Sequence, residues 1–458
     1  MERTRKILQK IPHIFLVLIF ILGIYLRTKV YLTNQSFWHD ECALAWNVLN
    51  RSYLELFEPL RFLQVAPPLF LIYSKIIIKY FGTSELVYRL VPFVASLLSM
   101  VLFFFLSRLL FYTKRATLCA MALFAVSFPL YYYCAEFKPY STDVLFCIFT
   151  MYIYLNLNKE NIFWYSLILS TFIWFSFPTA FLLGAIALIV MFSKKYSGED
   201  KAKMLFHFSV SSLVFYFYYF RNVYDVQHGS MLNYWQNEFI SVENFSVIMQ
   251  KANEFIFSPE IVLPILMALG LIMYFYQKSK FAMFSVLSIL LVILISMLHL
   301  YPFSGRMILF LIPIFILLCS KIVDFKGYVG YLILGVFLYG AYPQFENTYN
   351  NIKKNNFYKN NSTPREIAEY LSKNIKSKDV VYVNVDSNCD YLYYKEIFSI
   401  TNQEIIDSPE LIRKGTRVWF FLPNNAKVTY KKVVKNKYKI LYGKNAGNSG
   451  IIYAIKIK

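Results

Sequence analysis

Two adjacent acids, Asp40 and Glu41, stand just beyond the first long apolar run and open a helical stretch, Cys42-Ala-Leu-Ala-Trp46. A carboxylate held there could take the proton from a reacting hydroxyl. Acids at a helix N-terminus are also stabilised by the helix dipole without any chemistry. A third acid, Glu136, lies in Ala135-Glu-Phe-Lys-Pro-Tyr140 beside Lys138 and Tyr140. An acid and a base two residues apart do not share a helix face, but a turn around Pro139 could aim both one way. The alternative is a solvated turn with an interfacial tyrosine. Arg89, Arg221 and Arg306 mark the ends of apolar runs. An arginine there usually snorkels to the interface, yet its fork also suits a phosphate. Lys75, Lys79 and Lys138 could serve similarly as point charges. Asp143 falls inside an apolar run and needs a partner or a water-filled cavity. Asp40, Glu41 and Glu136 could hold a hard divalent cation through oxygen, and an acid pair without metal explains them equally.

The elements that must position these groups are membrane helices. Of the 458 residues 57% are hydrophobic and 16% charged, against about 25% charged in ordinary soluble domains. That excludes disorder and a simple soluble enzyme. Runs of about 20 apolar residues fit a bilayer core, and the expected fold class is an α-helical polytopic membrane protein. Eleven spans are expected, at 12–31, 86–111, 116–133, 140–157, 161–177, 178–193, 203–221, 259–277, 280–300, 306–320 and 326–343. The run 67–81 is short, opens with Pro67-Pro68 and carries Lys75 and Lys79 one turn apart. It reads as a juxtamembrane helix. With 67–81 outside, the loops around Lys114, Lys159, Lys194, Lys278 and Lys321 all fall in the cytoplasm, as the positive-inside rule asks. The N-terminus is then cytoplasmic, on an uncleaved first span, in a plasma (inner) membrane. The first loop 32–85, the turn 134–140, the segment 222–258 and Tyr301-Pro-Phe-Ser-Gly-Arg306 face outward.

The net charge of +20 is read as lysine and arginine facing anionic lipid, not as nucleic-acid binding, which needs a backbone-neutralising face. Six cysteines without a CxxC pair and five scattered histidines give no readable zinc or disulfide framework. The expected domains are 1–343 in the membrane, a linker 344–362 rich in Asn, Lys and Tyr, and 363–458 as a small extracytoplasmic α/β domain. Thr363-Pro-Arg-Glu366 reads as a capping box opening a helix to about Asn374. Val380–Val385, Arg417–Leu422 and Ile451–Lys456 read as strands.

Trp38-His-Asp-Glu41, Ala66-Pro-Pro-Leu69, Phe81-Gly82, Tyr88-Arg-Leu-Val-Pro92, Ala135-Glu-Phe-Lys-Pro-Tyr140 and Tyr301-Pro-Phe-Ser-Gly-Arg306 occur in an order that resembles a known family. It is the GT-C superfamily of membrane glycosyltransferases, in its dolichyl-phosphate-mannose–protein mannosyltransferase and aminoarabinose-transferase-like bacterial branch. The resemblance runs from about Ile11 to Leu318. It implies a polyprenyl-phosphate-linked sugar donor and an active site at the outer membrane surface. It also implies a carbohydrate, lipid or protein acceptor. By resemblance Asp40 is the first-loop catalytic acid, with Glu41 beside it, and Glu136 the second. Lys138 stands where the family usually has arginine, and Ala66 where many relatives carry a basic residue. Arg306 matches the position near the donor phosphate. Lys138, Tyr140, Arg89, Arg221, Arg306 and Lys75 are the expected substrate-binding residues. The alternative is a transporter or lipid flippase of envelope glycoconjugates, which would place its ionisable groups at mid-membrane; Asp143 is the feature that favours it.

Overall fold

A computed structural model describes residues 2–224, 229, 232–257, 261–325, 327–354, 363–383, 388–400, 404–407, 410–423, 437–446 and 449–457. Helices occupy each of the expected apolar stretches. The first elements are α1 (Glu2–Leu32), α2 (His39–Asn50), α3 (Pro68–Phe81), α4 (Glu85–Leu110), α5 (Lys114–Val126), α6 (Phe128–Tyr132) and α7 (Tyr140–Leu155). They are followed by α8 (Ile162–Thr171), α9 (Thr179–Phe192), α10 (Gly198–Asn222), α11 (Phe245–Phe257), α12 (Val262–Tyr276), α13 (Lys280–Met297), α14 (Ile312–Lys321) and α15 (Tyr328–Lys354).

Among the described residues four helices, Pro12–Leu32, Glu85–Leu110, Lys280–Met297 and Gly305–Asp324, are long and apolar enough to cross a bilayer. The number rises to six if two bent pairs each form one span. The expected span 116–133 is one such pair, bent by 55° between α5 and α6. The break falls at Ser127-Phe-Pro129, where Pro129 cannot continue the ladder of the preceding helix. The stretches 140–155, 162–174 and 179–192 are helical but short. Long helices thus alternate with short and broken ones.

Two ends of the bundle are tied by polar contacts. At one end Asp324 accepts from the backbone N–H groups of Tyr112 (3.2 Å) and Thr113 (2.8 Å) and from Lys321 Nζ (2.8 Å). At the other, α2 and α3 lie over α4, and the turn 134–140 packs against them.

The linker expected at 344–362 is helical as far as Lys354, because α15 continues through Pro343. Thr348 Oγ1 donates to Val126 O (3.0 Å) and Asn351 Nδ2 to Tyr131 Oη (3.1 Å), which holds the polar half of α15 against the break between α5 and α6. Residues 355–362 lie outside the described residues.

The C-terminal part adds α16 (Pro364–Asn374), α17 (Asn388–Ile397) and a mixed five-stranded sheet of order β2-β1-β3-β5-β4. Its strands are β1 (Val380–Val383), β2 (Glu404–Ile406), β3 (Arg417–Leu422), β4 (Tyr438–Ala446) and β5 (Ser449–Lys456). β1 runs parallel to β2 and β3, and β5 antiparallel to β3 and β4. Pro364 takes the first helical position as expected, while the Thr363 side chain makes no cap hydrogen bond. This part does not stand apart. Ile367, Leu371, Tyr391, Tyr393, Trp419 and Phe421 share one hydrophobic core with Phe37, Leu44, Val48, Phe70 and Phe137 of the first loop and its neighbours. Glu85, at the start of α4, accepts from Tyr394 Oη (2.6 Å) and Arg365 Nη1 (3.2 Å) across the same seam.

Candidate active site

Helix α2 decides the roles of its two acids. Asp40 and Glu41 occupy its first turn, and successive side chains on a helix point about 100° apart. Glu41 turns inward. Arg89 Nε donates to its Oε1 (2.8 Å) and Nη2 to its Oε2 (2.6 Å), a bidentate fork. Phe137 N–H donates to Oε1 (2.6 Å), and Trp38 N–H lies 3.5 Å from Oε2. Both side chains of the pair are only 2% exposed. Arg89 also donates to Gln35 O (2.6 Å) and covers the Phe37 ring at 4.7 Å. Glu41 and Arg89, read from the sequence as catalytic and substrate-binding, are thus spent on each other and on the turn that carries Glu136 and Lys138.

Asp40 turns the other way. Its Oδ2 is 3.1 Å from Arg306 Nη2 and 3.9 Å from Lys138 Nζ. Burial alone would push this carboxyl up, but Lys138, Arg306 and His39 outweigh it and hold it below the usual carboxylate range. Burial pushes the Lys138 ammonium down against the pull of Asp40. Lys138 Nζ donates to Gln64 Oε1 (2.6 Å). Gln64 is delivered by two non-glycine residues in left-handed conformation, Phe62 (φ 61°) and Leu63 (φ 53°), each costing about 1–3 kcal/mol. Asn47 holds that loop by exchanging hydrogen bonds with the backbone of Arg61 (2.9 and 3.1 Å).

Arg306 follows Gly305, whose φ of 47° places the chain in the left-handed region. Its guanidinium lies over three rings, Trp38 (5.0 Å), Tyr140 (5.7 Å) and Trp235 (5.8 Å). Asp40, Lys138, Tyr140 and Arg306 line one cavity of about 500 Å³. Phe177, Phe181, Phe215 and Tyr301 give it apolar and aromatic lining, and Asp143 also faces it.

Glu136 is buried beside a separate small pocket with Glu41 and Arg89, and its Oε1 has no hydrogen-bond partner. Burial pushes its carboxyl up to about 7, with Arg306 and Lys138 opposing and Glu41 and Asp40 reinforcing. The folded protein therefore holds this proton while an unfolded chain releases it near 4.5. Stability should fall as pH rises through that window, by on the order of 3 kcal/mol from this group. Glu136→Gln should flatten that part of the thermal-midpoint profile; a profile identical to wild type would mean the carboxyl is already ionised in the fold.

Two expected phosphate ligands lie elsewhere. Lys75 Nζ donates to Val48 O (2.8 Å) and Leu49 O (3.4 Å), so it satisfies the last carbonyls of α2. Arg221 is exposed in the last turn of α10 and is not in the cavity wall. Nor do Asp40, Glu41 and Glu136 converge at metal-ligand spacing among the described residues; Arg89 and Arg306 intervene. Sequence reasoning missed Gln64 and Trp235, and Trp38 as a ring wall. Gln64 had no signal, since nothing in Arg61-Phe-Leu-Gln64 marks a left-handed turn.

The family described as dolichyl-phosphate-mannose-protein mannosyltransferase matches residues 65–219. No curated protein matches the sequence. ArnT from Cupriavidus metallidurans bound to undecaprenyl phosphate superposes with TM-score 0.54 at 11% identity, covering 94% of this chain and 97% of that one. The apo state of the same protein gives 0.57 at 8% identity with the same coverage. The archaeal oligosaccharyltransferase AglB from Archaeoglobus fulgidus, in complex with an inhibitory peptide and a dolichol-phosphate, gives 0.49 at 10%, covering 91% and 69%. Residues 65–219 thus match the dolichyl-phosphate-mannose-protein mannosyltransferase family, and over nearly its whole length the chain has the fold of ArnT.

Proposed function

We propose that this protein is a glycosyltransferase that moves a sugar from a polyprenyl-phosphate carrier to a carbohydrate, lipid or protein acceptor on the extracytoplasmic face. The observation that carries this is Asp40 set against Arg306 and Lys138 in the lining of an aromatic cavity. An isoprenoid chain suits the apolar wall, and its phosphate suits the two cations. An incoming phosphate competes with Asp40 for Arg306. Once Asp40 loses those cations, its carboxylate becomes more basic and free to take a proton. The acceptor oxygen then attacks the anomeric carbon, its proton passes to Asp40, and the bond to the phosphate oxygen breaks. The polyprenyl phosphate leaves with the electron pair, held by Arg306 and Lys138. Attack opposite the leaving group inverts the anomeric centre. The growing charge is met by side chains, so this scheme needs no divalent cation.

The orientation follows the charge pattern, with the N-terminus in the cytoplasm of a plasma (inner) membrane and residues 363–458 outside. Asp143, the residue that favoured transport, lines the same cavity as Asp40 and so has a place in this scheme.

The test is transfer from a panel of radiolabelled polyprenyl-phosphate sugars by the purified protein in detergent. Arg306→Ala should lower kcat/KM by about two to three powers of ten and raise the donor KM. Arg306→Lys should recover part of this, keeping charge but not the fork. If wild type transfers sugar and Arg306→Ala matches it, the phosphate does not sit on Arg306.

A further inference from the structure

The two halves of the molecule meet at a cluster that the transfer scheme does not use. His39, the first residue of α2, lies against Cys389 and Asp390 in the first turn of α17. His39 Nδ1 is 3.1 Å from Asp390 Oδ2 and 3.1 Å from Cys389 Sγ. Nδ1–H can serve Asp390, and the Cys389 S–H then has the His39 carbonyl oxygen at 3.7 Å as an acceptor. Asp390 is fully buried, and its other oxygen, Oδ1, has no hydrogen-bond partner. Cys389 is buried as well, while the His39 side chain is 38% exposed and leaves a path to solvent. One nitrogen, one sulfur and one carboxylate oxygen all lie within 4.8 Å of one another.

We propose that His39, Cys389 and Asp390 form a binding site for a zinc-class divalent cation that bolts α2 to the C-terminal domain. Imidazole, thiolate and carboxylate are the donor set zinc prefers, with water in the fourth position. A cation in the gap would take a lone pair from each of the three groups and compensate the buried Asp390 carboxylate, whose Oδ1 is otherwise without a hydrogen-bond partner. On binding, the Cys389 thiol releases its proton to solvent and becomes a thiolate. The first turns of α2 and α17 both present N-terminal dipole ends here, but burial still holds the Cys389 thiol and the Asp390 carboxyl above their ordinary values. A further buried thiol, Cys42, reaches both Phe37 O (3.8 Å) and the Asp390 carboxylate. The site is separate from the cavity, and it holds the residue next to Asp40.

The experiment uses the full chain in detergent. Purified protein equilibrated with zinc and then desalted should keep about one zinc per chain, and cobalt in its place should give a thiolate-to-cobalt charge-transfer band. Zinc should slow alkylation of Cys389, read by mass spectrometry, and a chelator should restore it; this needs no variant. Cys389→Ala and Asp390→Asn should weaken zinc binding by at least about tenfold and Cys389→Ala should abolish the band. Wild type that keeps no zinc and shows no band overturns the site. Zinc that survives Cys389→Ala but is lost in Glu136→Gln would put the ion elsewhere and overturn it equally.

Discussion

Asp40→Asn should lower the turnover of sugar transfer by about two to four powers of ten, the range of a general base. That is about 3–5.5 kcal/mol of transition-state stabilisation. Asparagine keeps the shape of the side chain and loses only the charge and the basic oxygen. The loss of charge acts on Arg306, whose Nη2 is 3.1 Å from the Asp40 carboxylate. With no anion opposite it, the guanidinium binds a phosphate more readily. The donor KM should therefore stay level or fall while kcat collapses, a split that marks a group needed in the transition state and not in binding. Arg306→Ala should show the reverse signature in KM. Steady-state kinetics with a single labelled donor decides between them. Equal transfer by wild type and Asp40→Asn would reduce Asp40 to a counter-ion that orders Arg306 and Lys138, and would move the search for a base to Glu136.

How much of this the sequence reveals depends on the kind of contact. Local patterns translate well. The prolines before Leu69 and the basic stripe of Lys75 and Lys79 predict a helix over 67–81, and α3 spans Pro68–Phe81. The apolar runs at Val380 and Arg417 become β1 and β3, the middle of the sheet. The edge strand β4 is not visible beforehand. Tyr438-Lys-Ile-Leu-Tyr-Gly-Lys-Asn-Ala446 lacks alternation and carries lysines, as unpartnered edges do. The polar end of α15 reads as a linker because its helix is held by Thr348 and Asn351 reaching α5 and α6, contacts no window of sequence contains. The motifs bring Asp40, Lys138, Tyr140 and Arg306 to one face in the right order. Adjacency in sequence cannot say which of Asp40 and Glu41 faces the cavity. That choice is made by Arg89, 48 residues on, and arginines at span ends look alike until their partners are known.

That choice has the other large consequence. Arg89→Ala should destabilise the protein by about 3–5 kcal/mol, because it leaves the Glu41 carboxylate buried without its fork, and Glu41→Gln should cost somewhat less, because Glu85 stays 3.9 Å from Arg89. Glutamine keeps one acceptor oxygen for Phe137 N–H but sets an NH2 donor against Arg89 Nη2, so the turn carrying Glu136 and Lys138 should loosen. A large drop in the thermal midpoint in detergent is the expected reading for both single variants. Glu41→Gln combined with Arg89→Met should cost clearly less than the sum of the singles, since the second change removes the charge the first one stranded. Activity should decline through kcat as Lys138 loses its place beside Asp40, in step with the loss of stability. A Glu41→Gln protein with a wild-type midpoint and no turnover would contradict this. It would make Glu41 a chemical participant, and Asp40 would then share its role. The separation is sharp because the two acids differ in what surrounds them: Glu41 sits in a closed fork at 2% exposure, whereas Asp40 at 24% borders the cavity where a substrate can reach it.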